Sequence, residues 1–109
     1  MEIRDIPYED FDLTAVPPTR HEGQTGFALW QTLIRGNVRM RIVTYSPGYL
    51  ADHWCEKGHA VYVLEGSFVS ELKDGRTTTL TQGMGYLVAD RAEPHRSYSE
   101  KGVKLLIVD

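Results

Sequence analysis

A chain of 109 residues accommodates one domain, and its 41% hydrophobic and 25% charged content lets that domain form a core without disulfides. The formal net charge is −3 and the basic residues are scattered, with only Arg39 and Arg41 paired on one strand face, which argues against a nucleic-acid surface. The single cysteine, Cys55, excludes an intramolecular disulfide; the acidic stretch Met1–Asp10 lacks a hydrophobic signal core, and the run Leu105–Val108 is far too short to span a bilayer, so the expected location is the cytoplasm and no membrane partner is expected.

Residues 1–25 read as an irregular N-terminal arm, broken by Pro7, Pro17 and Pro18, with a short strand allowed around Met1–Ile6. From Phe27 the chain becomes a series of short β-type runs. Phe27–Arg35 is followed by the hairpin signal Gly36-Asn37. Val38–Tyr45 alternates, with Val38, Met40 and Ile42 on one side and Arg39 and Arg41 on the other, the pattern of a half-buried strand ended by Pro47-Gly48. Ala60–Leu64 is apolar, stops at Glu65-Gly66 and gives way to Ser67–Lys73. Asp74-Gly75 marks another hairpin into Arg76–Thr81. Gly83 and Gly85 flank a turn into Tyr86–Ala89, and a strand begins at His95-Arg-Ser-Tyr98. Val103–Val108 is the last strand. Roughly eight short strands without an amphipathic helix suggest an antiparallel sandwich or barrel over residues 26–109. A single cysteine gives no support to an immunoglobulin-type sandwich.

The residues that could carry chemistry are concentrated. His53, Cys55 and His59 lie within seven positions, and His95 follows 36 residues after His59. If His53 and Cys55 sit on a strand, their two-residue offset puts both on one face. Gly58 permits a bend that returns His59 to the same pocket. Imidazole and thiolate are the ligand types preferred by zinc and by other first-row metals, so these four residues are candidate ligands of one divalent ion. His21 lies in the arm and reads as an ordinary exposed histidine. Trp30, Trp54, Tyr45, Tyr62 and Tyr86 read as core or interface residues, although inward aromatics in a barrel can also line a ligand cavity. Asp52, Glu56 and Glu65 are candidates to hydrogen-bond ligating imidazoles, or solvated charges at strand ends.

The stretch from Gly48 through Asp52-His53-Trp54-Cys55 and His59 to Gly66 resembles the first motif of the cupin superfamily, with Cys55 where a second histidine is usual and His59 where a glutamate is usual. Gly83-Met-Gly85 through Glu93-Pro94-His95 resembles the second motif. Its inner Pro-x-Gly is replaced by Val88-Ala-Asp90, and its Gly-to-His spacing is off by one. Within the superfamily the chain is most similar to small single-domain proteins named after an Asp-His-Cys-Trp motif, a name that assigns no reaction. The resemblance implies an all-β, single-domain cupin-type antiparallel β-barrel, a jelly roll, with a metal at its open end. It also implies a homodimer, to which the arm could contribute by crossing to a partner barrel.

A set of three histidines and one thiolate is softer than the usual three histidines and one carboxylate. It shifts preference toward zinc, with nickel, iron and copper as competitors. It also sits badly with oxygen chemistry, because a ligating thiolate is itself oxidised. Four readings follow: a metal-dependent protein that binds or acts on a small molecule, a non-catalytic ligand-binding or redox-sensing module, a purely structural or interaction protein, and an iron-dependent dioxygenase if the three histidines alone hold the ion. A closed four-ligand zinc site would leave no position for substrate, which is the main obstacle to an enzyme.

Overall fold

The computed structural model describes residues 1–109. β-Branched, aromatic and alternating runs form nine strands: β1 (Thr19–Glu22), β2 (Phe27–Arg35), β3 (Val38–Tyr45), β4 (Tyr49–Leu50), β5 (His59–Leu72), β6 (Thr77–Thr81), β7 (Gly85–Val88), β8 (His95–Ser99) and β9 (Val103–Val108). All pairings are antiparallel, in the order β1-β2-β3-β9-β5-β8-β4, with β6 and β7 also pairing β5. A single 3-10 turn at Leu13–Ala15 is the only helical element, and no helix is long and apolar enough to cross a membrane.

The hairpin expected at Gly36-Asn37 joins β2 to β3 in unbroken register from Arg35↔Val38 to Ala28↔Tyr45. Glu65-Gly66 does not end a strand, as the sequence suggested. It is the point at which β5 bends. A register shift falls between Val63 and Glu65, and Gly66 takes φ +80, a conformation a side chain resists. The half of β5 before the bend pairs with β7 and β9, and the half after it pairs with β6 and β8, so one strand serves both sheets and curls them face to face. The arm is partly ordered. Thr19–Glu22 pairs with β2, while Met1–Ile6 holds no strand. Residues 2–9 lie against the outside of the β2–β3 hairpin, through Asn37 Nδ2 to the Glu2 carbonyl and the Arg35–Glu9 ion pair.

Between the sheets the inward positions of β9 alternate, with Val103, Leu105 and Ile107 buried, and those of β5 alternate on each side of its bend, with Val61 and Val63 buried before it and Phe68 and Ser70 after it. The apolar ones pack with Ala28, Val43, Tyr49 and Leu80 in one core. Each large side chain buried there contributes about 1.5–3 kcal/mol. β3 departs from the polar-out rule: Arg41 and Val43 are its buried residues, and Val38 and Met40 face outward against Ile3, Ile6 and Phe11 of the arm. The arginine face of β3 is therefore the inner one. With the starts of β5 and β8 and the end of β9, it surrounds one mouth of the barrel.

Candidate metal centre

Cys55, His59 and His95 converge, with one donor atom from each lying within 4.8 Å of the others. His59 opens β5 and His95 opens β8, so each imidazole projects from a strand end held in a ladder. Cys55 lies in the loop between β4 and β5, not on a strand, and is tied to His95 by two backbone hydrogen bonds, Cys55 N–H to the His95 carbonyl (2.7 Å) and His95 N–H to the Cys55 carbonyl (3.0 Å). Gly58 lets this loop pass beside the end of β7. A Cβ there would stand 2.5 Å from the Asp90 nitrogen, and the Gly58 N–H instead donates to Asp90 Oδ1 at 2.6 Å. Asp90, in the segment that departs from the usual second motif, thus anchors the loop that carries the thiol.

The imidazoles are oriented by what their far nitrogens touch. His95 Nδ1 donates to the Glu93 carbonyl at 2.8 Å, and His59 Nδ1 faces Asp109 Oδ2 at 3.5 Å. Both rings therefore turn Nε2 toward a common point, and the two Nε2 atoms are 2.9 Å apart, with Tyr86 Oη 3.2 Å from that of His59. For His95 the outer N–H is held by a carbonyl while Nε2 faces inward, the way metal-binding histidines are fixed, whereas His59 Nδ1 is buried without a hydrogen bond and only faces the Asp109 carboxylate.

Protonation follows the same geometry. Burial first, and the neighbouring His95 second, push His59 down to about 4, so it is neutral at pH 7 and free to donate its lone pair. The hydrogen bond to Cys55 raises His95, and the same bond lowers Cys55 despite burial. The two facing nitrogens and the thiol lie close enough together that one divalent cation would satisfy all three. One cysteine sulfur and two imidazole nitrogens are a donor set that suits a first-row metal, and these three residues would hold it.

His53, expected as a further ligand, lines the same cavity but is not among the three converging donors. Its side chain is 74% exposed and its Nδ1 is 2.6 Å from Asp52 Oδ1. The same-face argument required a strand, and residues 51–58 form a loop. Asp52 is therefore engaged with His53, and Glu65 with Lys104 on the far side. The carboxylate facing the His59 imidazole is that of Asp109, which neither spacing nor motif singles out.

The cluster opens into a cavity of about 400 Å³, within the range of small-molecule sites. Trp30, Tyr45, Tyr49, Trp54 and Tyr86 supply aromatic walls, so four of the five aromatics read as core, interface or cavity residues line a chamber, while Tyr62 is exposed on the outside. Arg39 and Arg41 close one side, held by Asp109. Arg39 donates from Nε to Oδ1 (2.7 Å) and from Nη2 to Oδ2 (3.0 Å), and Arg41 donates from Nη2 to Oδ2 (3.1 Å).

No family model and no curated protein matches the chain. Solved structures do. A predicted oxalate decarboxylase from Thermotoga maritima superposes with a TM-score of 0.77 at 16% identity, over 92% of this chain and 96% of its own. An RmlC-like cupin from Shewanella frigidimarina gives 0.70 at 20% identity, over 94% and 89%. The protein has the cupin fold. A polyketide cyclase from Streptomyces resistomycificus gives 0.73 at 25% identity, over 94% of this chain and 78% of its own. Two of these neighbours are named for different activities, a decarboxylase and a cyclase, so the likeness carries the fold and not a reaction.

Proposed function

We propose that the protein is a metal-dependent cupin that binds and acts on a small molecule in its barrel mouth, with one divalent ion, zinc by preference, held by Cys55, His59 and His95. The observation that carries this reading is the convergence of three donors, with both Nε2 atoms inward, on a cavity of about 400 Å³. A three-donor set removes the obstacle raised by four ligands, because zinc sites that keep an open position are the catalytic kind. When bound there, the ion would supply Lewis acidity to a substrate oxygen or a lowered pKa to a bound water. The chain's own groups would position the substrate. Tyr86 Oη, 3.2 Å from His59 Nε2 and on the cavity wall, would offer a hydrogen bond to a molecule bound beside the cluster. Trp30 and Trp54 exclude water from two walls.

The order Asp52-His53-Trp54-Cys55 keeps the reading of a small cupin of the Asp-His-Cys-Trp group, with a cytoplasmic location and a homodimeric assembly as parts of the same proposal. The exposed Met1, Ile3 and Phe11 of the arm favour that assembly.

Elemental mass spectrometry of untagged protein tests the site. About one metal per chain is expected, lost in Cys55→Ser and His95→Ala and retained in His53→Ala. Cobalt reconstitution is expected to give a thiolate-to-metal charge-transfer band that Cys55→Ser abolishes. Wild-type protein that takes up no stoichiometric metal, even after reconstitution with zinc or cobalt, would sink the reading. Loss of metal in His53→Ala would restore the four-ligand site.

A further inference from the structure

The charge of the cavity is opposite to that of the protein. In a chain of 12 basic and 15 acidic residues, the lining holds Arg39, Arg41, Lys57 and Arg96 against a single carboxylate, Glu56. Arg96 is offset by Glu71 at 3.4 Å while lying over the Trp54 ring, whereas Lys57, on the loop, makes no ion pair and adds its charge to the field at Asp109. Arg39 and Arg41 share one carboxylate, that of Asp109, so this buried group of three carries one uncompensated positive charge.

Arg41 is the residue hardest to explain without a ligand. It is only 5% exposed, and its Nε is buried with no hydrogen-bond partner. A buried guanidinium with unused donors is costly and is tolerated where something else satisfies it. Its plane lies over the Trp30 ring, 4.5 Å from the centroid, which fixes the fork's orientation. It also lies close to the three-donor cluster, since Asp109 Oδ2 contacts both Arg41 Nη2 and His59 Nδ1.

The geometry points to Arg41, supported by Arg39, as the seat of a carboxylate on the molecule that enters this cavity: a small organic acid with a flat, aromatic or unsaturated body. The inference rests on the metal-site reading for the rest of the chamber. A guanidinium fork matches a carboxylate in geometry and charge. The body of such an acid would lie between Trp30 and the tyrosine walls, extending from the arginines toward the open side of the cluster. Neutral molecules of the same shape would leave the positive charge of the group uncompensated, so the site discriminates against them.

The test is binding, not turnover. Both tryptophans of the chain line the cavity, so their fluorescence reports occupancy, with calorimetry alongside. The probes are benzoate, phenylacetate and hexanoate, the neutral isosteres benzamide and phenylacetamide, and inorganic phosphate. Benzoate or phenylacetate is expected to bind at least about tenfold more tightly than its amide. Arg41→Met is expected to lose that margin while metal content stays unchanged. Equal affinity for acid and amide, an indifferent Arg41→Met, preference for phosphate, or no binding by any acid at about 10 mM would overturn the assignment. If Arg41→Met does not fold, the acid–amide comparison in wild type and in Arg39→Gln decides. Repeating the titration after chelator treatment separates the two readings. Acid binding that persists without metal supports the arginine seat even if the metal reading fails. Acid binding that vanishes with the metal and survives Arg41→Met assigns the anion to the ion and overturns the seat.

Discussion

Asp109→Asn is the perturbation that tests the charged wall most directly. The side chain of Asp109 is 2% exposed and accepts from Arg39 Nε, Arg39 Nη2 and Arg41 Nη2, all of them donors. An amide is the same size but carries its own donor. Whichever way it flips, its NH2 meets at least one guanidinium N–H, and two positive charges lose their shared counter-ion. Removing one member of a buried ion pair costs about 3–5 kcal/mol. Arg39 is 27% exposed and can turn toward water, so part of that is recovered and a cost of about 2–4 kcal/mol is expected. With an unfolding entropy near 2.1 cal/mol/K per residue, this lowers Tm by roughly 9–17 °C. The assay is calorimetric melting at pH 7. Arg41→Met combined with Asp109→Asn is expected to cost less than the sum of the two single changes, because removing one arginine removes the excess charge.

The pH dependence carries its own sign. Burial alone would raise the Asp109 carboxyl, but the hydrogen bond from Arg39 and the charges of Arg41, Arg39 and Lys57 reverse this and hold it below the ordinary aspartate value. A depressed folded pKa contributes stability that is complete above the unfolded value near pH 3.9 and is lost as pH falls through the folded value. The melting gap between wild type and Asp109→Asn should therefore persist from neutrality down to about pH 4 and narrow below it. A variant that melts within about 4 °C of wild type at pH 7, a cost of under about 1 kcal/mol, would refute the view that this carboxylate holds the arginine pair in place.

Phe68→Ala, at the largest fully buried side chain, is expected to cost about 3–5 kcal/mol in urea unfolding, close to the limit of what a domain of this size tolerates. Gly58→Ala pushes a methyl into the Asp90 backbone and should displace the loop bearing Cys55, so metal content is expected to fall, measured by elemental analysis beside a melting curve. In metal-free protein, Cys55 should alkylate with a midpoint below the ordinary thiol value, because the His95 hydrogen bond favours the thiolate. His95→Ala should raise that midpoint, and added zinc should slow the reaction, both followed by mass spectrometry with iodoacetamide.

Most strand boundaries were legible because the signals were local. Gly36-Asn37 and Asp74-Gly75 sit at real turns, and Phe27–Arg35, Val38–Tyr45 and Val103–Val108 match β2, β3 and β9 residue for residue. The bend at Glu65-Gly66 was misread as a strand end because a bulge and a turn use the same residues. Only the partner strand tells them apart. β1 and β4 were missed because Thr19–Glu22 and Tyr49–Leu50 are too short to show a period. Among the ligand candidates, spacing and motif found Cys55, His59 and His95, which the fold brings together. Because residues 51–58 form a loop, the offset of two carries no facing rule for either His53 or Cys55; Cys55 reaches the cluster through its backbone pairing with His95, and His53 lies on the cavity wall outside it.

The deeper failure concerns β3. Its alternation was clear, but the apolar side was the natural choice for the interior, and the fold turns Arg39 and Arg41 inward. Period two fixes which residues share a face, and it does not say which face is buried. That was settled by long-range partners: Asp109, 68 positions from Arg41, and the arm residues Ile3, Ile6 and Phe11 that cover Val38 and Met40 outside. A strand that buries its charges and exports its apolar side to an arm gives up local consistency, and such conflicts are expected at functional sites, where the energetic cost is offset elsewhere. The arm offsets it on the outer face of β3. On the inner face Asp109 offsets only one of two charges, and the remaining one is what a bound carboxylate would neutralise.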